Sequence, residues 1–283
     1  MDEQSNQESA TAAASSFFCK RGYITEDGIE VSNEELERLS NQPCLNQAWN
    51  EKLEREAQKN WDKFYNRNND KFFKDRHWAK EELEEVCSHI NFTAPIKYLE
   101  AGCGVGNMLF PLSEWYPHWE FYGFDFSKNA VRLLEERAAN INLKVKTAVV
   151  DLTVAEQIPF ESNIIDFATL IFVISAIHPE KQLQAIKNLA SFIKSGGTVV
   201  FRDYAAYDHA MMRFKPENKI QERFYKRADW TLAYYFHRSE VISLFEEAGF
   251  NVKSCLYYHT YTENRQMQMK VDRAFIQGVF VKK

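Results

Sequence analysis

The sequence after residue 91 alternates between short apolar runs and helix-forming stretches, and this alternation limits the possible folds more than any other feature. Seven runs have the composition of strands: "IKYLEA", "WEFYGFDF", "LKVKTAVVDL", "IIDFATLIFVIS", "TVVFRDY", "FNVKSCLYYHTY" and "AFIQGVFVKK". The helix candidates between them cover residues 107–115, 127–140, 180–193 and 239–248. Strands separated by helices predict an α/β fold with a mainly parallel, seven-stranded sheet. The last two strands have no helix between them, which predicts an antiparallel hairpin at one edge.

The first strand leads into the turn "EAGCGVGN" (residues 100–107), which has glycine at three alternate positions. Glycine has no Cβ and tolerates positive φ, so the backbone can approach a ligand closely there. In an open parallel sheet such a turn lies at the edge where ligands bind. The spacing Gly102-x-Gly104-x-Gly106 differs from the dinucleotide fingerprint GxGxxG, whose last position is here Asn107, and this disfavours a pyrophosphate cofactor. A merely tight strand-to-helix turn is the alternative.

Acidic residues end the next two strands. Asp125 follows the glycines by roughly 20 residues, where a carboxylate can accept hydrogen bonds from both ribose hydroxyls of an adenosyl group. Asp151 can accept from an adenine amino group while Leu152 packs on the ring. A single aspartate is more often a cap or loop residue, but two at successive strand ends indicate a nucleoside-containing ligand. Glu100 either contacts an amino group of this ligand, as a cofactor would have, or only fixes the turn.

Composition limits the classes of function. The 283 residues carry a formal net charge of −5, so nucleic-acid binding would have to come from a local basic patch or a partner. No run approaches the roughly 18 apolar residues of a membrane span, and no membrane association is expected. The five cysteines form no CxxC pair, which predicts neither a metal site nor a disulfide framework. The N-terminal segment lacks an apolar signal core, so a cytoplasmic or nuclear location is expected.

The first 90 residues differ from the alternating part. Residues 1–45 are polar without a lasting period, which predicts a flexible arm with one helix near "SNEELERLS". Residues 46–90 begin with the helix formers of "WNEKLEREAQKN" and continue with the aromatic-rich "WDKFYNRNNDKFFKDRHW". Taken alone, these aromatic residues are best explained as anchors that attach a helix to the core.

Four long segments together resemble one family. "KLEREAQKNWDKFYNRNNDKFFKDRHW", "LEAGCGVGN", "LIFVISAIHP" and "FRDYAAYDHAMMRF" are similar to segments of the tRNA N3-cytidine methyltransferases, especially the members acting on serine tRNAs. The resemblance implies a Rossmann-like class I methyltransferase with S-adenosylmethionine as cofactor. It also implies that residues 46–90 form a helical lid contributing to cofactor and RNA binding, and that residues 91–283 form the methyltransferase domain.

The resemblance also implies the cofactor-binding residues. They are Trp61, Tyr65, His77, Glu100, Gly102, Gly104, Gly106, Asn107, Asp125, Phe126, Asp151, Leu152 and Ile171. Trp61 and Tyr65 belong to the lid expected to close over the cofactor. Aromatic walls desolvate a sulfonium and attract it by cation–π contact. The alternative is that Trp61, Phe64 and Tyr65 only attach their helix to the core.

The expected reaction requires no strong general base, since N3 of neutral cytosine carries a lone pair and no hydrogen. Catalysis should come from alignment and from stabilising the positive charge that moves onto the base. The candidate catalytic residues are Asp203, Tyr204, Arg76 and His209. By hypothesis Asp203 accepts from the exocyclic amine of the flipped base, while Tyr204 or Phe172 stacks on it. Arg76 would hold a flanking phosphate, or else form a salt bridge with Asp75 or a surface acid.

Alternatives exist for residues of the "FRDYAAYDHAMMRF" segment: Arg202 and Asp203 either pair with each other or cap a turn, and His209 is a structural histidine. The candidate RNA-binding residues are Lys74, Arg213, Lys215, Arg223, Arg227 and Arg273. A charge run can instead be only a solvated face. Where the family commonly has "DGTR", this chain has "DWTL" at residues 229–232, which replaces a turn glycine and an arginine. RNA recognition is therefore expected to differ around this turn.

The function that the resemblance implies is formation of 3-methylcytidine in the anticodon loop of tRNA, with serine tRNA as substrate and seryl-tRNA synthetase as a partner. An acidic chain with only local basic patches is consistent with a partner that supplies much of the grip on tRNA. Two alternatives stay open: a methyltransferase acting on a protein or small molecule, and a non-catalytic scaffold that binds the cofactor.

Overall fold

A mixed eight-stranded sheet forms the centre of the molecule. The computed structural model describes residues 22–69, 74–76, 79–154, 159–264 and 269–283. The strands within these ranges are β1 (Gly22–Thr25), β2 (Lys97–Ala101), β3 (Glu120–Asp125), β4 (Val145–Val149), β5 (Ile165–Ile171), β6 (Ile193–Tyr204), β7 (Lys219–Gln221), β8 (Phe224–Lys226), β9 (Leu232–Tyr234), β10 (Phe250–Asn264) and β11 (Met269–Lys282). All but β7, β8 and β9 belong to the central sheet, in the order β1-β10-β11-β6-β5-β2-β3-β4.

The pairing of the strands confirms the predicted fold class. Strands β4, β3, β2, β5 and β6 are parallel to one another. Strands β10 and β11 form the predicted antiparallel hairpin, which joins the sheet through β6. These are the seven strands expected from the sequence, and their order places the carboxyl ends of the parallel strands along one edge.

The eighth strand, β1, was not predicted and comes from the segment expected to be a flexible arm. It pairs antiparallel with β10, from Gly22 opposite Thr260 to Thr25 opposite Tyr257. The ring of Tyr23 stacks on His259, with centroids 4.9 Å apart. Pairing satisfies the backbone groups that the edge of β10 would otherwise expose, which gives a physical reason for this strand.

Nine α-helices lie in the described residues. They are α1 (Asn33–Ser40), α2 (Gln47–Arg55), α3 (Ala57–Asn68), α4 (Ala79–Val86), α5 (Leu109–Trp115), α6 (Lys128–Asn140), α7 (Pro179–Ala190), α8 (His209–Met212) and α9 (Arg238–Glu247). Helix α1 is the helix expected near "SNEELERLS", and Ser32 caps it by accepting from the Glu35 N–H. Lys219 Nζ donates to the Leu39 carbonyl at 2.5 Å, so this part of the predicted arm is folded against the rest of the chain.

The hydrophobic core covers both faces of the sheet. Alternate residues of β2 point to opposite faces: Tyr98 belongs to one buried cluster, whereas Leu99 and Ala101 belong to the other. Helices α5 and α6 follow β2 and β3, as in the predicted strand–helix alternation. The two covered faces leave the carboxyl edge of the parallel strands as the place for a ligand.

A second, three-stranded antiparallel sheet, β7-β8-β9, is inserted between β6 and α9. It is attached at the carboxyl end of β6, where the Phe236 N–H donates to the Tyr204 carbonyl at 2.9 Å. Each of its strands has three residues, which is too short for a periodic sequence signal. The insertion brings the "DWTL" turn to the same edge as the glycine turn.

Candidate active site

A cavity lies at the carboxyl edge of the parallel strands, beneath helices α2 and α3. Most of the predicted cofactor-binding residues line it: Trp61, Tyr65, Glu100, Gly102, Gly104, Asn107, Asp125, Phe126, Asp151, Leu152 and Ile171. Gly106 is not among the lining residues, and a Cβ there would meet Phe110 Cε2 at 2.6 Å. His77 lies outside the described residues. The sequence therefore located the cavity through residues from five separate parts of the chain.

The glycine turn is shaped for close approach. Gly102, Gly104 and Gly106 all have positive φ, at 65°, 52° and 83°. A Cβ on Gly104 would lie 2.6 Å from the Tyr65 hydroxyl oxygen, inside the space between the turn and the lid. A side chain at this position would project into the cavity, and glycine keeps that space open because it has no Cβ.

Asp125 at the end of β3 joins the glycine turn to the next helix. One carboxylate oxygen accepts from the Gly104 N–H and the other from the Ser127 N–H, both at 2.8 Å. Burial raises the pKa of this carboxyl group to about 6, although the two backbone donors oppose the shift. A buried carboxylate at this edge can accept hydrogen bonds from hydroxyl groups of a ligand.

Glu100 fixes the start of α5 and also lines the cavity. Its carboxylate accepts from the Met108 N–H at 3.2 Å and from the Leu109 N–H at 2.8 Å. Burial raises the pKa of Glu100 to about 7, and the opposing influences are Arg76 and these two donors. Of the two roles predicted for Glu100, fixing the turn is observed, and its place in the cavity wall is compatible with the other.

Helix α3 is fastened over the cavity by polar contacts with the β3–α6 loop. Asp62 Oδ1 accepts from the Ser127 hydroxyl at 2.6 Å, and Gln58 Nε2 donates to the Phe126 carbonyl at 2.9 Å. A further contact at the cavity is the 2.5 Å ion pair between Glu54 of α2 and Lys181 of α7. The lid is thus joined to the sheet domain on more than one side of the cavity.

The aromatic residues of α3 have divided roles. Trp61 and Tyr65 line the cavity, with ring centroids 6.0 Å apart. Phe64 does not line the cavity; it packs in a buried cluster with Tyr65, Val105 and Ala130. Burial raises the pKa of Tyr65 well above its ordinary value, and Asp125 adds to this, so the phenol stays neutral. Tyr65 therefore fits both predicted interpretations, since it lines the cavity and also attaches α3 to the core, whereas Phe64 fits only the second.

The residues after β4 form the opposite wall. Asp151 accepts from the Thr153 N–H at 2.9 Å and from the Thr153 hydroxyl at 2.7 Å, which holds the loop in a tight turn. The Leu152 carbonyl accepts from Asn188 Nδ2 of α7 at 2.9 Å. These contacts place an acidic group and an apolar side chain side by side in the wall, the combination expected around an adenine ring.

An aromatic platform lies at the carboxyl end of β5. Phe172 lines the cavity and has φ +59°, an uncommon conformation for a bulky side chain. Its ring centroid lies 4.9 Å from that of Tyr204 and 5.3 Å from that of Phe275. The Arg76 guanidinium carbon lies 5.7 Å from the Phe172 ring centroid. Strained backbone at a ligand cavity is typical of functional sites.

Comparison with known proteins decides what kind of site this is. A family model described as a methyltransferase domain matches residues 49–254. Human tRNA N(3)-cytidine methyltransferase METTL6 is 41% identical over 257 residues, which cover 89% of this chain and 90% of that protein. The tRNA N(3)-methylcytidine methyltransferase trm141 of Schizosaccharomyces pombe is 38% identical over 242 residues, 84% of this chain and 97% of the relative. The chain belongs to the tRNA N3-cytidine methyltransferase family.

Solved structures support the fold of this family member at lower identity. A SAM-dependent methyltransferase from Methanosarcina mazei superposes with a TM-score of 0.54 at 17% identity, covering 70% of this chain and 96% of that one. An S-adenosylmethionine-dependent methyltransferase from Clostridium acetobutylicum has the same TM-score at 14% identity, with coverage of 79% and 98%. The shared fold is that of class I methyltransferases.

Of the predicted catalytic residues, only Arg76 lines the cavity. Burial lowers its guanidinium pKa from the ordinary value, while Glu100 acts in the opposite direction. Its neighbour Asp75 pairs with Arg137 at 2.8 Å, so the alternative of an Arg76–Asp75 pair is not observed. Tyr204 reaches the cavity only through its contact with Phe172.

Asp203 does not line the cavity but binds backbone N–H groups close to residues that do. Its carboxylate is fully buried and accepts from the Ser175 and Tyr204 N–H groups, both at 2.9 Å. Burial raises its pKa to about 6, against the effect of those donors. The alternative pairing with Arg202 is not observed, since Arg202 binds Glu82, whereas the bonds of Asp203 to backbone N–H groups agree with the other alternative, a residue that caps a turn. A contact between Asp203 and a base stays a prediction.

His209 also lies away from the cavity wall. It is the first residue of α8, after the N-cap Asp208, whose side chain accepts from the Ala210 N–H. The ring Nε2 atom of His209 is buried. Because His209 does not line the cavity, its position gives no support to the predicted catalytic role. The position agrees with the structural alternative.

The predicted RNA-binding residues fall into two groups. Lys74, Arg213 and Lys215 are exposed and accessible to a phosphate backbone. The other three cations have partners within the protein. Arg223 binds Glu240 through two hydrogen bonds of 2.5 and 2.7 Å, and Arg273 binds the buried Asp208 at 2.9 Å.

Arg227 is the third of these internal cations. Its guanidinium carbon lies 5.2 Å from the ring centroid of Tyr204, and its Nη1 atom donates to the Thr231 hydroxyl at 3.3 Å. The sequence predicted Arg223 and Arg227 as parts of a basic run and Arg273 separately, but Glu240, Tyr204 and Asp208, which contact them, lie in other elements. Direct RNA contacts by Arg223, Arg227 and Arg273 stay predictions.

Several cavity residues were not predicted, among them His178 and Leu232. His178 caps α7 directly before Pro179, and it stands in the quoted segment "LIFVISAIHP", so a signal for it was present. Leu232 is the last residue of "DWTL" and is buried in the wall. No sequence periodicity shows that a three-residue strand begins at this cavity, so Leu232 could be placed only by the structure.

Two further expectations concern a membrane-spanning helix and a metal site. Within the described ranges, no helix is long and apolar enough to cross a membrane. The same residues contain no cluster of three or more His, Cys, Asp or Glu side chains arranged to hold a metal ion.

Proposed function

We propose that this protein transfers a methyl group from S-adenosylmethionine to N3 of a cytidine in the anticodon loop of tRNA. The observation that carries the proposal is the cavity built by the glycine turn, Asp125, Asp151 and the lid, in a chain 41% identical to human METTL6 over 89% of its length. The reaction class follows from the family, and the cavity provides the site at which it takes place.

The residues of the cavity fit this cofactor. The space that a Cβ on Gly104 would fill is left open for the methionine part, next to Glu100. Asp125 would accept from the ribose hydroxyls, and Asp151 with Leu152 would bind the adenine. The bound cofactor supplies an electrophilic methyl group on a positively charged sulfonium.

The charge of the cavity favours a cationic ligand. The described lining includes four carboxylate side chains and two cationic ones: Glu54, Glu100, Asp125, Asp151, Arg76 and Lys181. One of the cations, Lys181, is already neutralised by Glu54. Trp61 and Tyr65 exclude water on the lid side and offer aromatic faces to positive charge.

The chain's own residues align the base rather than remove a proton from it. Cytosine N3 attacks with a lone pair, so the protein has to orient the ring and hold it close to the methyl group. Phe172, supported by Tyr204 and Phe275, offers a flat apolar surface in the cavity for stacking a flipped base. Arg76, above the Phe172 ring, is suited to hold a flanking phosphate.

Asp203 acts in this account chiefly as a positioning residue. Its carboxylate accepts a hydrogen bond from the Ser175 N–H. This bond fixes the short turn Ile174–Ala176, which follows Phe172 closely in the chain. If it also accepts from the cytosine amine, Asp203→Asn should lower kcat more than it weakens tRNA binding. If it only positions the turn, Phe172→Ala combined with Asp203→Asn should be no worse than Phe172→Ala alone.

We further propose serine tRNA as the substrate, seryl-tRNA synthetase as a partner, and the cytoplasm or nucleus as the location. One support is the resemblance of the four quoted segments to the family members acting on serine tRNAs. The other is the net charge of −5, because an acidic protein gains affinity for tRNA from a partner that binds the same tRNA. Affinity purification from cells, with and without RNase, checks the partner. Absence of the synthetase from both samples would contradict this part of the proposal.

Methyl transfer in vitro distinguishes the classes of acceptor. The protein is incubated with labelled S-adenosylmethionine and, in separate reactions, with tRNA lacking 3-methylcytidine, with protein extract and with small metabolites. Seryl-tRNA synthetase is added in a parallel set. Label recovered as 3-methylcytidine supports the proposal; label only in protein or metabolites indicates another acceptor. Cofactor binding without transfer to any of them would favour a scaffold.

A further inference from the structure

Two exposed tryptophans lie side by side next to the cavity. Trp49 in α2 is 38% exposed, and Trp230, in the turn between β8 and β9, is 41% exposed. Their ring centroids are 5.9 Å apart and their planes are inclined by 34°. Indole rings normally bury most of their surface, so a pair of them in contact at the surface indicates an interaction site.

A lysine lies over each of these rings. Lys52 Nζ is 4.7 Å from the ring centroid of Trp49, and Lys226 Nζ is 4.8 Å from that of Trp230. Lys52 follows Trp49 by three residues and therefore lies on the same face of α2. We refer to Trp49, Lys52, Lys226 and Trp230 as the tryptophan–lysine patch. It places two positive charges on an otherwise acidic protein.

The acidic residue next to Trp230 makes its hydrogen bonds within its own turn. Asp229 Oδ1 accepts from the Thr231 N–H at 3.0 Å and from the Thr231 hydroxyl at 2.6 Å, so its carboxylate is used within the turn. Lys226 Nζ forms no ion pair within the described part of the chain, so this ammonium group can contact an anion that approaches the Trp230 ring.

Trp230 keeps this position at an energetic cost. Its φ is +70°, in the left-handed region that bulky side chains rarely adopt because of steric strain. The turn is held by the Trp230 N–H, which donates to the Arg227 carbonyl at 3.0 Å, and by Asn60 Nδ2, which donates to the Trp230 carbonyl at 3.2 Å. A strained, exposed indole held in place from α3 points to function rather than to packing.

The patch lies at the rim of the cavity. Glu54, in the same helix as Trp49, lines the cavity, and so does Leu232, two residues after Trp230. Asn60, which holds the Trp230 carbonyl, directly precedes the cavity residue Trp61. A strand of nucleic acid whose base enters the cavity would therefore bring its neighbouring nucleotides to the patch.

We propose that the tryptophan–lysine patch binds an unpaired nucleotide of the RNA substrate next to the methylated cytidine, with its base on an indole ring and its phosphate at Lys52 or Lys226. Alternating flat aromatic surfaces and cations match the alternating bases and phosphates of a single strand. The inference rests on the proposed function and deepens it, because it places RNA recognition on the "DWTL" turn.

Fluorescence anisotropy of end-labelled tRNA lacking 3-methylcytidine, with S-adenosylhomocysteine present, tests the patch. The variants are Trp49→Ala and Trp230→Gly, the latter chosen because glycine suits the positive φ. Each should weaken tRNA binding about tenfold, since stacking contributes roughly 1–3 kcal/mol per base. The control is Tyr23→Ala, which removes an aromatic side chain, 57% exposed, from β1 and should leave tRNA affinity unchanged.

Two further readouts separate RNA binding from a structural role. Lys226→Ala should reduce the slope of log affinity against log salt by about 0.7 to 0.9, the contribution of one phosphate contact. Affinity for S-adenosylhomocysteine, measured by calorimetry, should stay within about twofold of wild type in every patch variant. A single-stranded oligocytidylate should compete for wild type but less effectively for the tryptophan variants.

Wild-type affinity for tRNA in both tryptophan variants would overturn the patch while leaving the proposed methylation intact. Parallel loss of tRNA binding, cofactor binding and thermal stability would show that the tryptophans only fasten the lid to the β8–β9 turn, and would also overturn it. A wild-type protein that neither binds nor methylates tRNA would overturn the proposed function as well.

Discussion

Single residues at the glycine turn determine whether the cavity exists. Gly104 has φ +52°, and its missing Cβ leaves open the space below the Tyr65 hydroxyl. The need for glycine was predictable because three alternate glycines directly after a strand indicate a backbone that a ligand approaches closely. The direction of a side chain at a strand end was not predictable: Asp125 lines the cavity, whereas Asp203 turns inward to the Ser175 N–H, a donor from another strand's loop.

Gly104→Ala should abolish or strongly weaken cofactor binding. The added Cβ meets the Tyr65 hydroxyl in the cavity, and we expect a loss of affinity of at least about tenfold, or about 1.4 kcal/mol. Gly196→Ala is the matched control, because Gly196 also has positive φ but no atom lies within 4 Å of its added Cβ. Both variants should lose roughly 1–2 kcal/mol of stability from backbone strain. Calorimetric titration with S-adenosylhomocysteine checks the difference; equal affinities would contradict this account of the turn.

Glu100 should make the stability of the protein depend on pH. Its pKa rises from the ordinary 4.5 to about 7 on folding, because burial disfavours the ionised form. Its contribution to the free energy of unfolding is thus present below about pH 4.5 and is lost as the pH rises through 7, to the extent of about 3 kcal/mol. Urea unfolding of wild type and Glu100→Gln between pH 4.5 and 8 isolates this change. The stability difference between the two proteins should fall with pH, and a constant difference would contradict the assignment.

At the scale of elements, the lid depends on a few polar contacts between α3 and the β3–α6 loop. Long periodic elements such as α6 and β3 were predictable from the sequence. The three-residue strands β7, β8 and β9 were not, because so short a run has no detectable period, and neither was β1. The polar contacts of the lid were also beyond prediction, since Asp62 and Ser127 are 65 residues apart.

Asp62→Ala should loosen the lid. The substitution removes the acceptor for the Ser127 hydroxyl and the Asn129 N–H, at a cost of about 1 kcal/mol per hydrogen bond. We expect the cofactor product to dissociate several-fold faster, which stopped-flow tryptophan fluorescence can follow. Arg132→Ala is the control, since it breaks only the exposed Arg132–Glu136 pair on α6 and should leave the rate unchanged. Equal rates in all three proteins would mean that these contacts do not hold the lid.

At the scale of the whole molecule, the order of the strands brings the glycine turn, the two acidic strand ends and the lid to one edge. This arrangement followed from the alternation of strands and helices and was confirmed by the sheet order. The basic residues were less predictable, because the folded chain supplies partners such as Glu240 for Arg223 and Asp208 for Arg273. The same folding brings Trp49 and Trp230 together from positions 181 residues apart.

The central claim is that this cavity serves the methylation of tRNA at cytidine N3. Mass spectrometry of nucleosides from individually purified tRNAs tests it in cells that lack the endogenous protein and express either wild type or Asp125→Ala, with Gly196→Ala as a folded control. We expect 3-methylcytidine in serine tRNAs with wild type and with Gly196→Ala, and its loss with Asp125→Ala. Unchanged 3-methylcytidine in every tRNA, with an Asp125→Ala protein that is folded but does not bind the cofactor, would contradict the claim.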